Sequence, residues 1–346
     1  MVDIYRDAGP ARRTDTYLEV TPTTPLATFD QSPEACSVTS KLKKHTPTGT
    51  SVNNINSRQN SEKSINLIKA FSAAYAHIKR YEAARFFGSF LIAAASIFMA
   101  AIRETSPILV AIGVAWALTS SIALAQLARR WATEGATIQE HFDTHLYEME
   151  WKSGRSKVEP ERIHILSLRF RGSEEKLRDW YPDVSGLLSP FGVLICQRSN
   201  VAWDIQLRRR WKAAVEFFLL AWCLAGVTVG IAQELTVLEM ILRWFAPSSG
   251  LILLAWDTVR TQQSIISERS ELCSRISAEL DWIAPSIGKT ATNRLKSTCR
   301  EIQDGIYATR AQTAAVPRFF YNHFRKNDQE AMETAAGEIG GGPSNS

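Results

Sequence analysis

The chain has 346 residues, 45% of them hydrophobic and 22% charged, with a mean hydropathy of −0.13. Those averages are ordinary for a soluble protein, so any membrane signal has to lie in local clustering. The net charge of +5 is mild, and Lys and Arg crowd the ends of apolar runs, which excludes a dedicated DNA or RNA surface and points to membrane flanks. Cys36, Cys196, Cys223, Cys273 and Cys299 are scattered, with no CxxC pair and no His at zinc spacing, which excludes a disulfide framework and a structural metal.

The opening residues mix acids with bases and lack the apolar centre of a signal peptide, so no cleavable leader is expected. Residues 1–60, rich in Pro, Thr, Ser and Asn, read as a disordered tail. Over 61–128, Ile65, Leu67, Ile68, Phe71, Tyr75, Ile78 and Tyr81 recur at helical spacing and lead into the charge-free run Phe86 to Ile102. The polar break Arg103-Glu104-Thr105-Ser106 separates it from a second run, Pro107 to Ala128. Each run suits a crossing of about 30 Å of hydrocarbon at about 1.5 Å per residue, and so short a break permits only an antiparallel hairpin.

Residues 129–212 read as a helical cytosolic domain, broken at Lys152 to Pro160 and at Gly172-Ser173 and turning at Tyr181-Pro182-Asp183. The block 213–256 is too long for one span and is interrupted by Gln233-Glu234, which predicts a second hairpin with spans at about 213–232 and 235–256. The last span carries Glu239, Arg243 and Pro247; an acid or base at mid-helix costs about 2.5–3.5 kcal/mol, against about 0.3–0.6 returned per Leu or Ile, so the two charges are expected to pair. Helical stretches at 258–280, 290–313 and 318–332 make a cytosolic region over 257–335, and 336–346 is a Gly-rich tail. The fold class is an all-α membrane protein: two transmembrane helical hairpins, four spans, with helical cytosolic extensions. Lys79, Arg80, Arg85, Arg129, Arg130, Arg208, Arg209, Arg210, Lys212 and Arg260 fall on one side and only Arg103 on the other, so both termini are expected in the cytoplasm.

No Gly-rich phosphate loop, nucleophile elbow or paired-carboxylate site is found, so no enzyme, catalytic residue or cofactor is expected. Cys196, Asn200, Asp204 and Arg208 repeat every fourth residue and form one polar stripe on a helix. The helix leaving the second span, with Gln139, Phe142 and Asp143 on one face, is its candidate partner. Two readings stand: a sensor layer in which Gln197, Arg198 and Arg208 meet an anionic ligand, or a buried network that docks two helices. Trp180 and Tyr181 sit at a turn among acids, placed either to stack on a base or to pack a small core. His141 and His145 are one turn apart in His-Phe-Asp-Thr-His, which is not a zinc-protease motif and reads as a solvated pair without metal. Glu239 and Arg243, also one turn apart, are either pore-lining groups or an ion pair.

Several segments, in this order, carry a resemblance: Arg58-Gln59-Asn60; Ile138-Gln139-Glu140-His141-Phe142-Asp143 with Trp151; Asp179-Trp180-Tyr181; Ile195-Cys196-Gln197-Arg198-Ser199-Asn200 with Trp203-Asp204; and Ile302-Gln303-Asp304-Gly305-Ile306-Tyr307 with Arg310 and Pro317. From about Arg58 to Met332 the chain resembles the S-4TM family, bacterial four-transmembrane effectors associated with cyclic-oligonucleotide synthases. The resemblance implies an antiphage effector of the inner membrane: a partner synthase makes a cyclic oligonucleotide messenger, and the effector, as a homo-oligomer, permeabilises the lipid bilayer. Two rivals are a non-conducting membrane-anchored scaffold or receptor that recruits cytosolic proteins and a small solute transporter, for which the spans offer little polar midplane.

Overall fold

The computed structural model describes residues 54–102, 106–185, 187, 189–283, 289–312, 316–317 and 320. The described residues form eight helices joined by loops: α1 (Ile55–Gln59), α2 (Glu62–Ala101), α3 (Pro107–Tyr147), α4 (Pro160–Leu168), α5 (Ser189–Ala232), α6 (Val237–Phe245), α7 (Ser249–Ile283) and α8 (Lys289–Ala311). The expected tail up to residue 53, the break at 103–105, Pro285 and the expected helix over 318–332, apart from residue 320, lie outside the described residues.

Helices α2, α3 and α5 each pass through two surroundings. In the first half of α2, Ile65, Ile68, Phe71 and Ile78 are buried, and they join Phe142, Leu146, Leu194, Leu295 and Ile302 in one core. Farther along, Phe87, Leu91 and Phe98 of α2, Ile108 and Leu118 of α3, and Phe217 and Ile231 of α5 are each at least 60% exposed. A patch of that size and character is not stable against water, and lipid is the solvent that suits it. The molecule therefore has a polar lobe with a protein-like core and an apolar lobe with a bare hydrocarbon surface. Among the described residues three helices are long and apolar enough to span a membrane: α2, α3 and α5.

Small residues set the distance between α2 and α3. Ala70 and Ala74 on one helix, and Ala128, Ala132 and Ala136 on the other, are enclosed at i, i+4 spacing and let the two backbones approach along their length. Ser106 caps α3 by accepting from the Leu109 N–H at 3.2 Å, with Pro107 in the first turn where its missing donor is harmless. A π turn at Ser120–Leu124 interrupts α3, and Glu148, at φ 54°, ends it in the left-handed conformation.

At two places the structure departs from the sequence reading. Order begins before Asn60: Ile55 and Gln59 of α1 are buried, and the Gln59 amide clasps the backbone of Tyr181, its Oε1 accepting from the Tyr181 N–H at 2.9 Å. A five-residue helix has no period to detect, so only the distant partner reveals it. The second departure is the fourth span. Within the span expected over 235–256, α6 and α7 meet at a 72° bend across Ala246–Ser248. Pro247 lacks a backbone donor, and α6 has already unwound to a π turn over Ile241–Phe245, so the ladder cannot continue. The two pieces together have the length and composition of a broken fourth span or of a re-entrant loop.

Inside the apolar lobe, Trp222, Trp244, Ala93 and Leu251 pack together. A seam of enclosed hydroxyls runs beside them: Ser96 and Ser248 share a hydrogen bond of 3.3 Å, and Ser89 accepts from the Trp116 indole at 3.0 Å. These hydroxyls thus turn inward, away from the apolar outer face.

Candidate functional site

The segments singled out by sequence converge inside the polar lobe. Glu140 and Asp143, one turn apart on α3, are both 0% exposed. The Asp143 carboxylate accepts from the Tyr181 hydroxyl at 2.8 Å, from Gln303 Nε2 at 2.9 Å and from Arg310 Nη1 at 2.5 Å. Glu140 accepts from Gln303 at 2.9 Å, from Arg155 at 2.8 Å and from Arg300. Arg155 and Arg300 also reach Asp304, at 3.1 and 2.6 Å, and Lys152 joins them there at 2.8 Å. Gln303 thereby binds both acids at once and locks α8 to α3.

Helix α5 enters the network through α8. Gln197 donates to the Cys299 carbonyl at 2.9 Å and to Gln303 Oε1 at 3.1 Å. The stripe itself divides: Cys196 lies near Asp143, whose charge helps raise its thiol, whereas Asp204 and Arg208 turn to α7 in place of the expected Gln139 and Asp143. Gln139 instead accepts from the Tyr75 hydroxyl at 2.9 Å. Two turns below Gln197, Asp204 pairs with Arg208 on its own helix and with Arg269 of α7 at 3.1 Å, and Arg208 donates to Gln262 at 2.9 Å. Arg198 reaches Ser277 at 3.4 Å, and Asn200 is half-buried beside it. Trp180 packs edge-on against Phe71, and Tyr181 stacks with Phe142, their planes 7° apart. Both aromatics belong to the core of this lobe.

Burial sets the electrostatics. Burial alone would raise the Asp204 carboxyl, but Arg208 and Arg269 hold it below the usual range. Burial pushes Arg269 down to about 10, because Asp204 must serve two guanidinium groups and Arg310 lies near. Burial would lower Arg310 as well, yet Asp143 outweighs it and keeps the guanidinium charged. The Cys299 thiol is pushed up to about 12 by burial, so it is no nucleophile at neutral pH. Both carboxylates at the centre are held by cationic, amide or hydroxyl donors, which suits an interlock between helices better than proton transfer.

Glu140, Arg155, Arg269, Arg300, Gln303 and Arg310 were not among the candidate residues. Glu140, Gln303 and Arg310 lie in the quoted motif segments and could have been taken from them. Arg155 and Arg269 carry no pattern, and only their carboxylate partners identify them.

His141 and His145 are half-buried, contrary to the solvated pair that was expected. The His141 ring stacks on Trp151 with 4.3 Å between centroids. Among the described residues no His, Cys, Asp or Glu cluster has metal-binding geometry. His141 is pushed down to about 4 by burial, helped by Lys157 and Lys63; burial also lowers His77 and His145. An unfolded histidine takes its proton near pH 6.5 and folded His141 only near 4, so between those values the unfolded chain binds more protons. Stability is therefore complete above about pH 6.5 and declines as the pH falls toward about 4. Thermal midpoints of the detergent-solubilised protein from pH 7 to 5 should show that decline, with a shallower slope for His141→Gln.

Glu239 and Arg243 lie on α6, close to the turn that follows α5. Glu239 closes a capping box with Thr236, whose N–H donates to the carboxylate at 3.0 Å, and Arg243 pairs with it at 3.0 Å. The pair thus sits at the end of the apolar lobe, away from its middle.

A family model described as the SMODS-associating 4TM effector domain matches residues 53–339. The chain belongs to that family. A relative from Bacillus cereus (strain VD146), named a probable CBASS effector molecule, is 28% identical over 289 residues, covering 80% of this chain and 94% of the relative. No solved structure matches. The family match begins one residue before the described part of the chain and takes in all eight helices, so the interlock and the apolar lobe both fall within the shared domain.

Proposed function

We propose that this SMODS-associating 4TM effector is the membrane-acting component of a bacterial antiphage system, and that a cyclic oligonucleotide from a partner synthase triggers it to permeabilise the inner membrane as a homo-oligomer. Family membership and the relative named as an effector support the system. The observation that carries the mechanism is the continuity of α2, α3 and α5 from the interlocked polar lobe into the lipid-facing lobe. A displacement of α8 against α3 and α5 is carried toward the spans by the helices themselves. The messenger must bind the open arrangement more tightly than the closed one, since equal affinity shifts nothing.

One protomer packs Trp222 and Trp244 at the centre of its apolar lobe, so a lumen requires several copies or an opened bundle. The same packing favours the second reading, a scaffold that conducts nothing. Phage infection of cells carrying the intact system is expected to collapse the membrane potential, and liposomes bearing the protein to release dye when the messenger is added. Intact vesicles with messenger bound would leave the scaffold. Glu239→Leu with Arg243→Leu is expected to slow depolarisation at least tenfold while the protein still inserts; an unchanged rate would remove the pair from any conducting path.

A further inference from the structure

A second feature of the polar lobe is open to solvent. A cleft of about 850 Å³ lies between the first turns of α2, the last turns of α3, the linker 148–159 and the start of α4. That volume falls in the range of small-molecule sites, roughly 300–1,000 Å³. Lys63 and Asn66 come from α2, His141 and His145 from α3, and Trp151 and Lys157 from the linker. No ion pair holds either lysine among the described residues, and the Lys157 ammonium lies over the Trp151 ring, 5.6 Å from its centroid. His141 Nε2 is enclosed and has no hydrogen-bond partner.

We infer that this cleft is the messenger's site and that it takes a phosphate-bearing nucleotide, with the phosphates between Lys63, Lys157 and His141. This rests on the nucleotide-triggered reading above. Two ammonium groups without ion pairs are the donors an anion needs, and the unpartnered His141 Nε2 lies beside them. Glu62 and Glu159 also line the cleft, yet the charges that act on His141 are Lys157 and Lys63 and no carboxylate, so the positive end lies at His141. The acids suit the amino and hydroxyl groups of a nucleoside.

The cleft is wired to the interlock. The linker that contributes Trp151 and Lys157 also carries Lys152 and Arg155, which hold Asp304 of α8 and Glu140 of α3. Trp151 is fastened to that linker by its indole N–H, which donates to the Arg155 carbonyl at 2.7 Å. The Arg155 guanidinium in turn lies over the Tyr307 ring of α8, 3.7 Å from its centroid. A ligand that moves the linker therefore loads the contacts that lock α8.

The test uses the full chain in lipid nanodiscs. Lysine acylation is followed residue by residue by mass spectrometry, with inorganic pyrophosphate and 3′,3′-cyclic GMP-AMP as probes and sodium chloride of equal ionic strength as the control. Slowing of Lys63 and Lys157 by at least fivefold with either probe is the expected result. No slowing at these two lysines, or slowing only elsewhere, overturns the assignment. Both lysines are exposed, so Lys63→Glu with Lys157→Glu is expected to keep its thermal midpoint and to bind the protecting probe at least tenfold more weakly; unchanged binding overturns the site. In infected cells, depolarisation by the wild type but not by this variant supports the cleft. Depolarisation by both overturns the cleft and leaves the effector reading intact, whereas depolarisation by neither, with the lysines protected, sinks the effector reading and keeps the cleft.

Discussion

Asp143→Ala is expected to destabilise the polar lobe by about 3–5 kcal/mol, the cost of leaving a buried charge without its partner. Arg310 has side-chain exposure of 6% and would face a cavity where its carboxylate stood. The Tyr181 hydroxyl and one Gln303 contact would be lost as well. For a chain of this size the change corresponds to a fall in thermal midpoint on the order of 10 °C, measurable in detergent by differential scanning fluorimetry. Replacing both partners, Asp143→Leu with Arg310→Met, should recover much of the loss, since a well-packed apolar pair often matches a buried ion pair. If the single variant melts with the wild type, Arg310 is not desolvated in the native protein and the interlock is not what holds α8 in place.

The second large effect is expected at Gly113, where α3 touches the bend between α6 and α7. A methyl group added there would stand 2.8 Å from the Pro247 carbonyl oxygen and 2.9 Å from its Cα. Backbone cannot rotate out of the way as a side chain can, so Gly113→Ala has to push α3 off the bend, at about 1–3 kcal/mol for an overpacked contact. Gly250→Ala is the matched control, because the nearest atoms to its new methyl lie at 3.4 Å, ordinary contact. Heat-induced aggregation in detergent should begin several degrees lower for Gly113→Ala and stay unchanged for Gly250→Ala. Equal behaviour of the two would mean that the bend does not seat against α3.

Much of the site was within reach of local reasoning. Asp204 and Arg208 one turn apart, Gln139 and Asp143 on one face, and Tyr181 at its turn were all named from spacing. Spacing shows which face a side chain occupies, but it does not show which distant segment covers that face. The stripe on α5 was therefore given Gln139 and Asp143 as partners, whereas its Asp204 and Arg208 meet Arg269 and Gln262 of α7. Arg155 and Arg269 sit in stretches with no periodic signal, and their roles depend on carboxylates supplied by other helices. The cleft escaped notice for the same reason, since its walls come from four segments.

Hydropathy is additive along consecutive residues, so the three long apolar helices, the basic flanks and the all-helical class were determined by the chain alone. The bend at Ala246–Ser248, the docking of α1 before the expected start of order and the closing of Asp143 onto Arg310 were decided only by tertiary structure. Each of these depends on what stands opposite a residue: a glycine that admits a backbone, an amide that clasps a turn, a guanidinium that neutralises an enclosed acid. Such pairings couple residues more than a hundred positions apart, and no window of neighbouring residues contains them.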